Sequence, residues 1–249
     1  RRQRQMCIRD RLTPAPVGSY RSIFRWGDPA FFKYPKESLY KMMKEAFHMT
    51  DEDFRDYTDD IGFDQVSLPD HPSRIAPEHL EALKKIVGEE FVTTGDYERL
   101  SVAYGCTGYD LLRLRHKQID SLPDVVVYPD TTEQVEELVH YAAEHKLPLY
   151  VYGGGSSVTR GVEPIKGGIS LDMRKRFNKI LSFNEVDQTI TVQAGLSGPA
   201  LEEALQDAPN RFGAKRQYTC GHFPQSFEYS SVGGWVVTRG AGQNSTYYG

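Results

Sequence analysis

The run Val151-Tyr152-Gly153-Gly154-Gly155-Ser156-Ser157-Val158-Thr159-Arg160-Gly161 puts three consecutive glycines and two serines directly after an apolar stretch. Glycine tolerates positive φ and presents its N–H with no side chain in the way. Successive N–H groups in such a turn make a concave nest for an anion, typically a phosphate. The hydroxyls of Ser156 and Ser157 add donors for phosphate oxygens. A flexible turn between strands would also be rich in glycine, so the flanking sequence has to decide. If an anion sits here, a bulky residue at Gly154 is expected to fall where the phosphate belongs.

Two common phosphate signatures fail. A nucleotide-hydrolase loop needs G-x-x-x-x-G-K-[ST], but Gly155 and Gly161 are too far apart and Arg160, not lysine, precedes Gly161. The dinucleotide fingerprint G-x-G-x-x-G opens a helix. Here Val158 stands at the last position, and 158–168 has no helical pattern. Metal chemistry has little support, because Cys220-Gly221-His222 has no second pair at zinc spacing. The seven histidines, including His48, His71, His79, His116, His140 and His145, are scattered. The carboxylates Asp51, Glu52, Asp53, Asp59 and Asp60 read as solvated loop or helix-cap residues. Arg113, Arg115, His116 and Lys117 form a basic stripe that reads as a solvated face, though it could also lie near a phosphate.

The elements that must position the loop can be read from periodicity. Asp124 to Pro129 is a short apolar strand. Thr131-Thr132-Glu133-Gln134 is a capping-box signature. Val135, Leu138, Val139 and Ala142 then mark the inner face of a helix ending near Lys146. Leu147 to Tyr152 is the next strand, giving a β-α-β unit with parallel strands and the Gly-rich run at its end. Ile169 to Met173 is a third strand. Lys179–Phe183 and Gln188–Ala194 make a hairpin through Asn184 to Asp187, and Gly198 to Asp207 a helix. Before residue 121 the chain reads as helical and loop-rich, with helices over 36–47, 77–87 and about 106–117. The net charge of -4 gives no electrostatic case for nucleic acid. Three widely spaced cysteines, Cys7, Cys106 and Cys220, argue against a disulfide framework. No apolar run is long enough for a spanning helix, and Asn244-Ser245-Thr246 matches a glycosylation sequon without any sign of secretion.

The order of strand, helix, strand, Gly-Gly-Gly-Ser-Ser, strand Ser170-Leu171-Asp172-Met173 and a hairpin ending Gln193-Ala194-Gly195, followed by Ser231-Val232-Gly233-Gly234-Trp235, resembles the flavoproteins of the vanillyl-alcohol oxidase and p-cresol methylhydroxylase family. The stretch from Cys220 to Gly242, with Phe24-Arg25-Trp26-Gly27-Asp28 and the helical lead-in, is most similar to the alkyldihydroxyacetone-phosphate synthase branch. The resemblance implies an α+β fold: a helical N-terminal segment over 1–120, and over 121–249 a two-subdomain FAD-binding domain that continues, with a substrate cap, past Gly249. It implies FAD at named positions. Val151, Tyr152, Gly153, Gly154, Gly155, Ser156 and Ser157 would wrap the pyrophosphate. Gln225, Ser226, Phe227, Glu228, Tyr229, Ser230 and Ser231 would line the flavin and ribityl side. Gly233 and Gly234 would let a flat ring lie on the main chain, and Thr238, Arg239, Gly240 and Ala241 would add contacts. Trp235 is expected in the core, and Arg239 could pair with a phosphate or with an acid. Members that tether FAD covalently place a histidine where Ser156 stands, so the FAD here is expected to be non-covalent.

The activity implied is exchange of the acyl group of acyl-dihydroxyacetone phosphate for a fatty alcohol, an ether-lipid transfer without net redox change. Its catalytic residues are unassigned in this chain, and little activity is expected from residues 1–249 alone. The same fold serves dehydrogenases of small 2-hydroxy acids, and a non-catalytic FAD-binding fragment also stays open, because fold does not specify function. The implied partner is a lipid-like phosphorylated substrate, with peripheral membrane contact and a homodimer compatible with it. No targeting signal is seen, so the expected location is the cytoplasm, or the peroxisome in a eukaryote.

Overall fold

The computed structural model describes residues 37–53, 68–115 and 118–242. Cys7, the stretch from Phe24 to Asp28, Asp59, Asp60, His116, Lys117 and the sequon at Asn244 lie outside the described residues. The chain divides into two units, Arg1–Val66 and Ser67–Gly249. In the first, helix α1 (Glu37–Phe47) carries a Glu37–Lys41 pair at 2.8 Å and buries none of its residues. After it, Asp53 accepts from the Thr50 N–H at 2.6 Å, a local turn bond at an exposed position.

The second unit is built on a four-stranded sheet of order β1-β2-β4-β3: β1 (Val92–Thr93), β2 (Val125–Val127), β3 (Leu149–Tyr152) and β4 (Ile169–Asp172). β4 is parallel to both β2 and β3 and lies between them, while β1 is antiparallel to β2. The β-α-β unit seen in the sequence is therefore present, but its two strands are separated by a third. The Val125–Val127 run is buried throughout, as a strand covered on both faces requires. One face packs Val125, Val127, Ile169 and Leu171 against Leu83 and Val87 of α2 (Pro77–Val87) and against Leu138 and Ala142 of α5 (Thr132–Glu144). The other packs Val126, Tyr128 and Tyr152 against Val102 and Val162. Residues 68–120 thus belong to the sheet's own core: they supply α2, β1, the short helix α3 (Asp96–Ser101) and α4 (Gly108–Arg115). The break expected near residue 120 falls inside this unit.

The cap of α5 is built as its sequence suggests. The Thr131 hydroxyl accepts from the Gln134 N–H at 3.2 Å, and the Gln134 side chain reaches back to the N–H of Asp130 at 2.8 Å. The inner face is narrower than expected. Leu138 is fully buried, but Val139 is 47% exposed, because the 100° turn per residue carries it past the edge of the packed stripe.

The remaining layer is the antiparallel hairpin of β5 (Ile180–Asn184) and β6 (Thr189–Val192) with α6 (Gly198–Gln206), α7 (Ala208–Phe212) and α8 (Val232–Thr238). The Asn184 side-chain oxygen Oδ1 accepts from the N–H groups of Val186 and Asp187 and closes the hairpin turn. Leu196, Leu201, Leu205 and Trp235 form its core. Leu138→Ala should cost about 2–5 kcal/mol by opening a cavity in the main core, whereas Val139→Ala should stay within about 0.5 kcal/mol. Urea unfolding of the two variants checks both figures.

Candidate functional site

The Gly-rich run leaves the C-terminal end of β3 as an irregular loop. Gly155 adopts φ +69° and is buried, and Gly153, Gly154, Ser156 and Ser157 are half-buried. The backbone N–H groups of Gly153, Gly154, Gly155, Ser156 and Ser157 donate to no protein acceptor among the described residues. Buried or half-buried N–H groups are nearly always paired. Five in succession without a protein partner, one of them at a left-handed glycine, make a nest for an anion.

The glycines also answer to the protein itself. A Cβ on Gly154 would strike the carbonyl oxygen of Tyr229 and come within 2.6 Å of the Ser230 Cα. A Cβ on Gly153 would strike the Ser231 hydroxyl, and one on Gly155 the Tyr152 hydroxyl. The loop is therefore pressed against 229–231, the segment that the sequence placed on the other side of the same ligand. The expectation that bulk at Gly154 would act by displacing a phosphate is corrected in this respect: the first obstacle is the main chain of Tyr229 and Ser230.

That segment is held by its own bonds. Phe227 N–H donates to the Pro224 carbonyl at 3.1 Å across a turn in which Ser226 has φ +59°. Ser230 is buried; its hydroxyl donates to the Ser226 carbonyl at 2.8 Å and accepts from Trp235 Nε1 at 2.7 Å. The Ser231 hydroxyl caps α8 by accepting from the Gly234 N–H at 3.4 Å. Buried Glu202 anchors the approach to this segment, accepting from the Thr219 hydroxyl at 2.8 Å and the Cys220 N–H at 3.0 Å.

Trp235 and several expected site residues have structural duties. Trp235 lies in the core, stacked with Phe227 at 5.6 Å between ring centroids. A Cβ on Gly233 would come within 2.6 Å of the Ala194 Cβ, so chain packing by itself requires glycine here; Gly234 has more room. Thr238 gives its hydroxyl to the Gly234 carbonyl at 2.7 Å. Exposed Arg239 ends α8 in the left-handed region at φ 50°. Neither Thr238 nor Arg239 meets the loop through a hydrogen bond or ion pair among the described residues. Val151, Gln225 and Ala241 are exposed, Tyr152 is buried, and Glu228 and Gly240 are half-buried.

The sequence did not reveal what closes the loop from behind. Cys106 N–H donates to the Ser157 carbonyl at 2.8 Å, the Cys106 thiol lies 3.3 Å from the Gly155 carbonyl, and a Cβ on Gly105 would strike the Ser157 carbonyl oxygen. Burial, with nearby Asp110, pushes the Cys106 thiol up to about 11, so it stays protonated. Past the loop, Glu163 is buried among charges. Arg113 reaches it at 3.1 Å and Arg160 at 2.5 Å, and the Ser121 hydroxyl donates to it at 3.0 Å. Arg113 also pairs with Asp110 and Asp120, both at 3.1 Å, and lies 4.7 Å from the centre of the Tyr104 ring. Reading Arg113 as part of a solvated stripe is thereby corrected. Its carboxylate partner sits fifty residues away, where no local pattern can show it.

Burial works against ionisation of Glu163, but hydrogen bonds from Arg160, Arg113 and Ser121 outweigh it and hold the carboxyl at about 2, below its ordinary 4.5. A folded-state value below the unfolded one adds stability above pH 4.5, which is lost as pH falls toward 2. Glu163→Gln should flatten acid unfolding in that window. At neutral pH it should destabilise toward the lower end of about 3–5 kcal/mol, because Arg113 keeps two other carboxylates. Denaturant titrations from pH 2 to pH 7 check both effects. Gly154→Ala should lower the stability of the ligand-free protein by about 1–3 kcal/mol through overpacking, read as a fall in its thermal midpoint.

Residues 123–249 match the FAD binding domain family. Over 181 residues the chain is 33% identical to alkyldihydroxyacetonephosphate synthase of Dictyostelium discoideum, covering 72% of this chain and 28% of that protein. The enzyme of the same name from Caenorhabditis elegans is 36% identical over 155 residues, covering 61% of this chain and 24% of that protein. A solved structure of alkyldihydroxyacetonephosphate synthase superposes with a TM-score of 0.67 at 31% identity, over 76% of this chain and 33% of its own. The chain spans about a quarter of the length of the curated relatives it matches.

Proposed function

The chain belongs to the FAD binding domain family, with FAD as its cofactor, and on that premise we propose that it is the cofactor-holding part of an enzyme of the alkyldihydroxyacetonephosphate synthase type. One observation carries this reading beyond the family. The synthases match at 31–36% identity, whereas a D-lactate dehydrogenase of Saccharomyces cerevisiae matches at 27% over a similar length, 172 residues.

In this reading the N–H groups from Gly153 to Ser157 bind the pyrophosphate of FAD, with the Ser156 and Ser157 hydroxyls as further donors. The segment Gln225 to Ser231 lines the flavin and ribityl side, with Ser230 and Ser231 holding its backbone in place. The Gly155 carbonyl, held by the Cys106 thiol, shares a trans peptide with the Ser156 N–H, which therefore points away from 105–106. When bound, the flavin supplies the reactive ring at which acyl-dihydroxyacetone phosphate exchanges its fatty acyl group for a fatty alcohol. The substrate is accordingly a lipid-like phosphorylated molecule. No described helix is long and apolar enough to cross a membrane.

Two outcomes test the proposal. Ser156 is no nucleophile for the flavin methyl, so acid precipitation of the holoprotein should release yellow cofactor into the supernatant; flavin retained in the pellet contradicts this. The full-length protein supplied with acyl-dihydroxyacetone phosphate and a long-chain alcohol should form the alkyl product without net flavin reduction. Rapid bleaching by D-lactate or glycolate with no alkyl product would move the assignment to the 2-hydroxy acid dehydrogenases.

A further inference from the structure

N–H groups orient a pyrophosphate, but they carry no net charge, and two phosphate charges taken out of water need a cation. The turn after β4 offers four: Arg174, Lys175, Arg176 and Lys179. Three are held by the fold. Lys175 lies 4.3 Å from the centre of the Tyr128 ring. Arg176 donates to the Tyr128 carbonyl at 3.0 Å and lies over the Phe91 ring, and Lys179 pairs with Asp130 at 2.6 Å. Other cations near the loop are taken as well, Arg160 by Glu163 and Arg113 by three carboxylates.

Arg174 is different. β3 and β4 end side by side, with Tyr152 paired to Asp172 in the register. Asp172 is buried and clasps Arg174 through Nε at 2.9 Å and one terminal nitrogen at 2.6 Å. The second terminal nitrogen has no acceptor among the described residues. The guanidinium lies 4.6 Å from the centre of the Tyr152 ring, and the hydroxyl of that ring occupies the place a Cβ on Gly155 would take. The ring that carries Arg174 therefore abuts the nest, at the carboxyl ends of parallel strands where open α/β sheets bind ligands. Arginine, with its planar fork of donors, suits phosphate recognition.

We propose that Arg174, aimed by Asp172 and seated on Tyr152, is the charge partner of the cofactor's pyrophosphate. This inference rests on the FAD reading above and assigns a residue to it. Asp172 is a positioning residue and also an opposing charge. A charge role and a structural role therefore give different signs. If the clasp only holds the fold, Arg174→Gln and Asp172→Asn break the same bonds and weaken FAD alike. If Arg174 meets the pyrophosphate, losing it weakens FAD, and neutralising Asp172 leaves the cation uncompensated and strengthens binding.

The experiment is a titration of the apoprotein with FAD, followed by flavin fluorescence, with ADP as a competitor that carries a pyrophosphate but no flavin. Arg174→Gln should raise Kd for both ligands about tenfold, the loss of one charge-assisted contact. Asp172→Asn should lower Kd about threefold, and high salt should narrow both differences. Should Arg174→Gln not fold, Asp172→Asn decides alone: binding no tighter than wild type overturns the proposal. Arg174→Gln with unchanged Kd, or both variants weakened together, overturns it too. Wild-type protein that binds neither FAD nor ADP would instead overturn the FAD reading itself.

Discussion

The site depends on one close approach: the main chain of Gly153 and Gly154 against the Ser231 hydroxyl and the main chain of Tyr229 and Ser230, which leave no room for a Cβ on either glycine. The contact joins the end of β3 in the parallel sheet to the start of α8 in the second layer. It places the five N–H groups that have no protein acceptor among the described residues beside the segment expected along the flavin. Ser231 serves both sides, capping α8 while filling the space above Gly153. A ligand that bound here would touch both layers without either having to move to meet it.

Around that contact the protein has placed charge with care. The loop's rear wall comes from 105–106, and its far end is held by Glu163 among two arginines and a serine hydroxyl. Such a cluster is costly to desolvate and gives little net stability over an apolar replacement. Its value lies in position: Arg113 on α4 and Glu163 beyond the loop cannot pair unless both elements are in register. The extension before the family domain is therefore part of the site's frame.

Much of the fold was legible. The cap at Thr131, the helix of Leu138 and Ala142, the strands ending at Tyr152 and Asp172, and the Asn184 turn all follow from local pattern. The Gly-rich run read as an anion nest or a flexible turn from residue type alone, and only the order of the flanking elements favoured the nest. What stayed hidden depends on partners distant in sequence. β1 is two residues long, too short for any period. Arg113 sits on a short helix where a basic residue normally faces water, and only Glu163 explains its burial. The purpose of Gly154 and Gly233 could not be read either, because a glycine reports that something comes close without saying whether it is ligand or chain. Val139 shows the opposite error, a residue with the right spacing but just beyond the packed stripe.

The sheet order also sets a timetable. Among the described residues β3 pairs only with β4, and β4 reaches β2 across a long span, sealed where the Gly168 N–H meets the Asp124 carboxylate 44 positions earlier. Closing such spans costs chain entropy before any contact repays it, and folds dominated by distant pairings form slowly. The nest at the end of β3 needs β4 paired beside it, and its other wall is residues 229–231. The cofactor's complete site therefore belongs to the folded chain. The cofactor acts on a finished frame, where binding to the folded state alone raises stability by mass action and does so chiefly by slowing unfolding, since contacts absent from the folding transition state act on that rate.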